Sequence, residues 1–150
     1  MSFSRKVKEE LARQISTARH CCIAEFAAIF HLCGRIKRDS LGNPYLQIDT
    51  ENLTVAQKSY ILLRKTFQVQ IEIMVRNHNV RSSNVSFSII VKESQDVILV
   101  LKAIKIIDEN GNLWGGFQKI HRRLVQNTCC KRAYLRGSFL VAGSITNPEK

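Results

Sequence analysis

The stretch Ala133-Tyr134-Leu135-Arg136-Gly137-Ser138-Phe139-Leu140-Val141-Ala142-Gly143 decides the fold. It has a weaker echo in Ala24-Glu25-Phe26-Ala27-Ala28-Ile29-Phe30-His31-Leu32-Cys33-Gly34. Both runs are apolar and helix-length, and both stop at a glycine followed by a strand-like segment, Ser144-Ile145 or Arg35-Ile36-Lys37. Glycine just past a helix can take the left-handed conformation that closes the last turn at little cost. Small residues at helical spacing, Ala24, Ala27, Ala28 and Gly137, let two helices approach more closely than the usual axial distance of roughly 8–10 Å. The expectation is two copies of one helix, packed side by side, with their glycine ends at the same edge.

Composition points to a polyanionic partner. There are 23 Lys+Arg against 12 Asp+Glu, a formal net charge of +11, and such a surplus favours acidic surfaces and speeds encounter with them. With 45% hydrophobic residues the chain has enough apolar material for a core, and its length suits one domain. No apolar run approaches the roughly 20 residues of a membrane span, and the amino terminus lacks the apolar region of a signal peptide. The reading is a soluble protein of the cytoplasm. Five cysteines include two vicinal pairs, Cys21-Cys22 and Cys129-Cys130. A metal reading would gather His20, Cys21, Cys22, Cys129 and Cys130, but no CxxC spacing exists, and reduced, buried thiols without a metal or other cofactor are the reading adopted.

Leu135 to Gly143 resembles a degenerate LAGLIDADG motif, matching at Leu135, Gly137 and Gly143, and Phe26 to Gly34 keeps Ala27 and Gly34. The resemblance extends further. The runs Ser2 to Leu11, Thr17 to Cys21, and Cys129 to Gly137 are similar to the amino-terminal part of the WhiA family, bacterial regulators of sporulation and cell division that carry a homing-endonuclease fold on a DNA-binding chain. An active LAGLIDADG enzyme places an acid just before the terminal glycine of each motif, and the two acids hold divalent cations. Those positions are Cys33 and Ala142 here. Alanine offers no ligand, and a thiol suits soft metals rather than Mg²⁺. The resemblance therefore implies a binding protein without nuclease chemistry, associated with the nucleoid.

Taken in order, residues 2–14 predict a helix with Phe3, Val7, Leu11 and Ile15 on one stripe, and Ser16-Thr17 offers a cap for the first motif helix. Two strands, Arg35–Lys37 and Tyr45–Asp49, flank a turn-forming cluster. A helix over Thr54–Phe67 turns Val55, Tyr60, Leu63 and Phe67 inward and Lys58, Arg64 and Lys65 outward. The strictly alternating strand Val69–Arg76 pairs with Val85–Lys92. Ser94 then caps a helix through Ile104 with Val97, Ile98, Leu101 and Ile104 on one side. With the resemblance, this α+β order of helix, two strands, helix, two strands, helix is one LAGLIDADG homing-endonuclease-like repeat behind an extra N-terminal helix. The organisation expected is 1–107 for that unit, 108–118 for a linker bearing Trp114, and 119–150 for the start of a second repeat. The terminal glycines stand 109 residues apart (143 − 34) and seven residues follow Gly143, so a fragment of a longer chain is expected.

In the family fold the sheet lies on DNA. Alternation turns Val69, Ile71, Ile73, Val75, Val85, Phe87, Ile89 and Val91 toward the helices, and Gln70, Glu72, Met74, Arg76, Ser86, Ser88, Ile90 and Lys92 outward. Candidate phosphate contacts are Arg35, Lys37, Arg38, Arg76 and Arg81. The acid-free run from Lys119 to Arg136 adds Lys119, Arg122, Arg123, Lys131 and Arg132. Double-stranded DNA is the partner expected. Two alternatives stand beside it: a nuclease using Asp39 or Asp49, and a protein-binding scaffold exposing Met74 and Ile90. The second motif helix, left uncovered on one side, is expected to drive homodimerisation.

Overall fold

A computed structural model describes residues 2–77, 84–112 and 120–145. The elements are α1 (Phe3–Arg13), α2 (Arg19–Cys33), β1 (Gly34–Arg38), β2 (Pro44–Thr50), α3 (Leu53–Phe67), β3 (Glu72–Asn77), β4 (Val85–Val91), α4 (Ser94–Ala103) and α5 (Thr128–Ala142), with a 3-10 turn over Arg122–Val125 leading into α5. The strands form one antiparallel sheet of order β1-β2-β4-β3, and the helices pack on one of its faces.

The helix α2 is the centre. Almost every residue from Cys21 to Phe30 is buried, whichever way it points, as expected of a helix walled in on all sides. Its side chains Phe26, Ile29 and Phe30 join Leu46 and Ile48 of β2, Leu62, Leu63 and Phe67 of α3, Ile89 of β4, Val97 and Val100 of α4, and Leu140 of α5 in one core.

Its partner across the seam is α5, and the two run parallel. Cys21 and Ala24 pack with Cys130 and Ala133 at one end. Further along, a Cβ at Gly137 would stand 2.5 Å from the Glu25 carbonyl oxygen and 3.0 Å from the Ala28 Cβ. The seam is therefore close because a side chain is missing at its crossing point. The glycines that end the helices work differently from the sequence expectation. Gly34 and Gly143 have φ of −92° and −77°, outside the left-handed region. Each is required because any Cβ would meet the ring of the phenylalanine one turn earlier, Phe30 or Phe139.

Several expectations change with the third dimension. Lys58, expected in solvent, is 0% exposed, whereas Tyr60 is exposed. Val69 and Ile71 precede β3 rather than belonging to it, because Gln68 ends α3 in a left-handed conformation (φ 54°) and the Gln70 amide donates to Asp96 at 3.1 Å. In α4, Val100 is buried and Ile98 exposed. Ser94 is the first helical residue and not a cap, and Ala18 rather than Ser16 or Thr17 precedes α2. The expected linker falls mostly outside the described residues, Trp114 included.

The strand β3 departs most from the alternation argument. Ile73 and Val75 are 52% and 61% exposed, because β3 is the sheet edge farthest from β1, and α2 and α5 do not reach it. Ile90 departs the other way. It sits in the central strand β4, flanked in register by Gln47 and Glu72, and is only 3% exposed.

Candidate nucleic-acid interface

The sheet register sets which side chains share the face away from the helices. One cross-strand row is Lys37, Tyr45 and, just beyond β4, Lys92. The next is Arg35–Gln47–Ile90–Glu72, and then Asp49–Ser88–Met74, followed by Ser86–Arg76. Four cations (Arg35, Lys37, Arg76 and Lys92) and two acids (Asp49 and Glu72) thus occupy one surface. Lys92 had no place among the sequence candidates. It lies 3.4 Å from Glu72 and over the Tyr45 ring at 6.0 Å, contacts created by the pairing of β4 with β3 on one side and β2 on the other.

Asp49 anchors the polar part of this face. Burial works to raise its carboxyl, but hydrogen bonds from Ser88 (2.6 Å) and Gln47 (2.7 Å) and the charges of Lys37 and Arg35 overcome this and hold it below the ordinary value. The acid thereby fixes Gln47 and Ser88 in place and offsets part of the basic field. Asp39 is committed elsewhere, since its carboxylate accepts the Leu41 and Asn43 amides and shapes the β1–β2 turn. Neither acid has a counterpart at the motif ends. Cys33 donates its thiol to the Ile29 carbonyl at 3.2 Å, with burial and Asp49 pushing it up to about 11, and Ala142 is exposed with no ligand atom.

The remaining candidates do not converge on one surface. Arg38 follows the parity of Ile36 and donates to the Gly42 carbonyl at 2.9 Å, at the hairpin rather than on the outer face. Arg122 and Arg123 are exposed on the 3-10 turn, and Lys131 and Arg132 are exposed in the first turn of α5. The helix rise of 1.5 Å per residue puts Lys131 roughly 16 Å from Ala142. This second basic group therefore lies at the opposite end of the helix pair from β1. Its field is felt by His121, which burial and then Lys105, Arg123 and Arg122 hold below the ordinary imidazole value. Arg81 and Lys119 fall outside the described residues.

A buried charge network, absent from the sequence reading, braces the helix pair. Glu25 of α2, fully buried, meets Lys58 of α3 at 3.1 Å and Arg136 of α5 at 3.0 Å. Lys58 also donates to the carbonyls of Leu11, Ala12 and Gln14, the negative end of the α1 dipole. Arg136 donates to Ser16 as well, at 3.0 Å. One carboxylate thus ties four elements to the seam, which is how a lysine survives in a core.

Parallel helices abutting through small residues, each ended by glycine, over a four-stranded antiparallel sheet, define a LAGLIDADG-like unit with Cys33 and Ala142 just before its two glycines. The family described as the WhiA N-terminal LAGLIDADG-like domain matches residues 19–107, and the chain belongs to that family. Proteins named "Probable cell division protein WhiA" are 40% identical over 150 residues in Lachnoclostridium phytofermentans and 36% over 151 residues in Alkaliphilus oremlandii. In each case all of this chain is covered, but 48% and 47% of the relative, so the chain spans about half the length of the curated relatives it matches. Among solved structures, the N-terminal LAGLIDADG domain of DUF199/WhiA superposes with a TM-score of 0.64 at 21% identity, over 99% of this chain and 62% of that one. Full-length DUF199/WhiA from Thermatoga maritima gives 0.61 at 20% identity, over 99% and 42%. No helix among the described residues is long and apolar enough to cross a membrane.

Proposed function

We propose that this chain is a catalytically silent, duplex-DNA-binding module of a WhiA-like transcription regulator acting at the nucleoid in cell division, chromosome segregation and sporulation. The observation that carries the reading is the outer sheet face. There Arg35, Lys37, Arg76 and Lys92 surround Ser86 and the buried set in which Gln47 and Ser88 donate to Asp49, an array of cations suited to phosphate contacts. Arg122, Arg123, Lys131 and Arg132, at the other end of the molecule, contribute long-range steering under this reading. The relatives' name, cell division protein, agrees with the proposed role. Absence of carboxylates at positions 33 and 142 argues for binding without cleavage.

The test is duplex binding across a salt series. Each phosphate contact contributes about −0.9 to the slope of log affinity against log salt, so Arg35→Glu with Lys37→Glu should flatten the slope by roughly two. A slope unchanged by the double reversal would overturn the assignment of the sheet face. Plasmid nicking with Mg²⁺ or Mn²⁺ should be absent, and metal-dependent cleavage lost with Asp49→Asn would establish a nuclease instead.

The edge strand supports a second reading, a protein-binding scaffold. Ile73, Met74 and Val75 are all exposed along β3, and an open apolar strand edge accepts an added strand. Partner capture that survives nuclease digestion and fails with Val75→Lys would favour it.

A further inference from the structure

The first turns of α2 and α5 hold a second symmetric feature. His20-Cys21 and Cys129-Cys130 occupy the second and third positions of their helices. They stand 109 residues apart (129 − 20), the same period that separates the terminal glycines. Parallel packing therefore brings the two dyads face to face. The His20 Nδ1 is 3.0 Å from the Cys130 Sγ, 3.5 Å from the Cys21 Sγ and 3.9 Å from the Cys129 Sγ. All four potential ligand atoms lie within 4.8 Å of one another.

These dimensions come within about 1 Å of a tetrahedral metal site. Zinc with Zn–S near 2.3 Å and Zn–N near 2.0 Å sets N···S edges of about 3.5 Å and S···S edges of about 3.8 Å. The three observed N···S distances bracket the first value. Two thiols, Cys21 and Cys130, form a buried floor, while His20 and Cys129 are exposed and leave a route of entry. Burial and then the neighbouring Cys129 and Cys130 push the Cys21 thiol up to about 12, so a cation that binds here must displace that proton. The other two cysteines take no part. Cys22 donates to the Ser16 carbonyl at 3.3 Å and Cys33 to that of Ile29.

We propose that His20, Cys21, Cys129 and Cys130 bind a soft divalent cation, zinc foremost, as a closed structural site that clamps the amino-terminal ends of the helix pair. Three sulfurs and one imidazole select zinc over the oxygen-seeking Mg²⁺ and Ca²⁺. The four ligands also fill the tetrahedron, so the ion has a structural rather than a hydrolytic role. On binding, the thiols release their protons to solvent, and the neutral imidazole donates its Nδ1 lone pair. The rest of the seam at this end is Ala24 and Ala133, with Ala18 and Tyr134 against them, so the ion adds cohesion where the facing side chains are mostly small. The helix pair has Cys33 and Ala142, not carboxylates, at one end and a soft-metal set at the other.

The experiment is Co²⁺ titration of the fully reduced chain, followed by displacement with Zn²⁺. Expected are the tetrahedral cobalt spectrum with thiolate charge transfer, saturation at one equivalent per chain, and loss of both on adding zinc. Cys129→Ser and His20→Gln, at exposed positions, should leave the helical circular dichroism intact. They should weaken cobalt binding by more than the roughly 10–100-fold that substitutions outside a ligand shell cost. Cys22→Ser and Cys33→Ser should bind as the unaltered chain does. With zinc bound, the exposed Cys129 thiol should resist a thiol reagent until a chelator is added. Absence of a tetrahedral spectrum in the reduced chain, a Cys129 thiol equally reactive with and without zinc, or undiminished binding in Cys129→Ser would each overturn the proposal.

Discussion

Gly137→Ala is the sharpest probe of the seam between α2 and α5. In an isolated helix the change stabilises by roughly 1 kcal/mol, because glycine is the worst ordinary helix former. At this position the added methyl would lie 2.5 Å from the Glu25 carbonyl oxygen and 3.0 Å from the Ala28 Cβ. Ordinary contact begins at 3.4 Å, so the helices must part by about 0.9 Å (3.4 − 2.5), and neither a backbone carbonyl nor a Cβ can rotate away. A gap of that size forfeits about a quarter to a half of the dispersion energy of each contact it opens, here along Ala24–Ala133 and around the buried Glu25. Overpacking of this kind costs about 1–3 kcal/mol. Strain at the upper end, less the propensity gain, leaves a net loss of about 2 kcal/mol. For a domain of this length that lowers Tm by roughly 4–8 °C. Scanning calorimetry reads the change directly. An unchanged or higher Tm would mean that the two backbones do not touch there, and the reasoning about the helix pair would fail.

Lys58→Met should destabilise by about 3 kcal/mol in urea unfolding, since it leaves the buried Glu25 carboxylate with Arg136 as its remaining cation and removes the donor to three carbonyls at the end of α1; Lys58→Met combined with Glu25→Gln should lose less than the two single changes added together. Burial lowers His31 from its ordinary 6.5, and His121 moves the same way. Below pH 6.5 the unfolded chain therefore takes up protons that the folded chain refuses, so stability should be full above that value and fall as acid is added. His31→Gln should remove part of that acid-side loss, which stability measured from pH 7 to 5 checks. Leu135 is 67% exposed on α5, so concentration-dependent dimers are expected in sedimentation velocity, and Leu135→Glu should yield monomers.

Much of the architecture was legible in the chain because it is periodic. The apolar runs ending at Gly34 and Gly143, the turn cluster before Pro44, and the alternating segment that became β4 all gave elements within a few residues of those observed. Local reasoning failed where a partner distant in sequence decides the outcome. An amphipathic reading of α3 sends Lys58 to solvent, because nothing near it in sequence announces Glu25 or the end of α1. Alternation likewise buries Ile73 and Val75, but their strand lies at the edge, and only the β1-β2-β4-β3 order reveals that. Of the basic candidates, Arg35, Lys37 and Arg76 share a face, while Arg38 and those before and within α5 lie elsewhere, a division that charge counting does not make.

By itself the sequence carried the two glycine-ended apolar runs, their 109-residue spacing, and Cys33 and Ala142 just before the glycines, since spacing and ligand chemistry are properties of residue type. The tertiary structure alone decided that Gly137 is a backbone contact point and that Glu25, Lys58 and Arg136 share one buried charge network. It also separated Cys22 from the group the sequence had gathered and brought His20, Cys21, Cys129 and Cys130 within 4.8 Å of one another. The physical reason is common to all three. Each depends on the distance between groups more than a turn of helix apart, and the chain sets that distance only once α2 and α5 have packed.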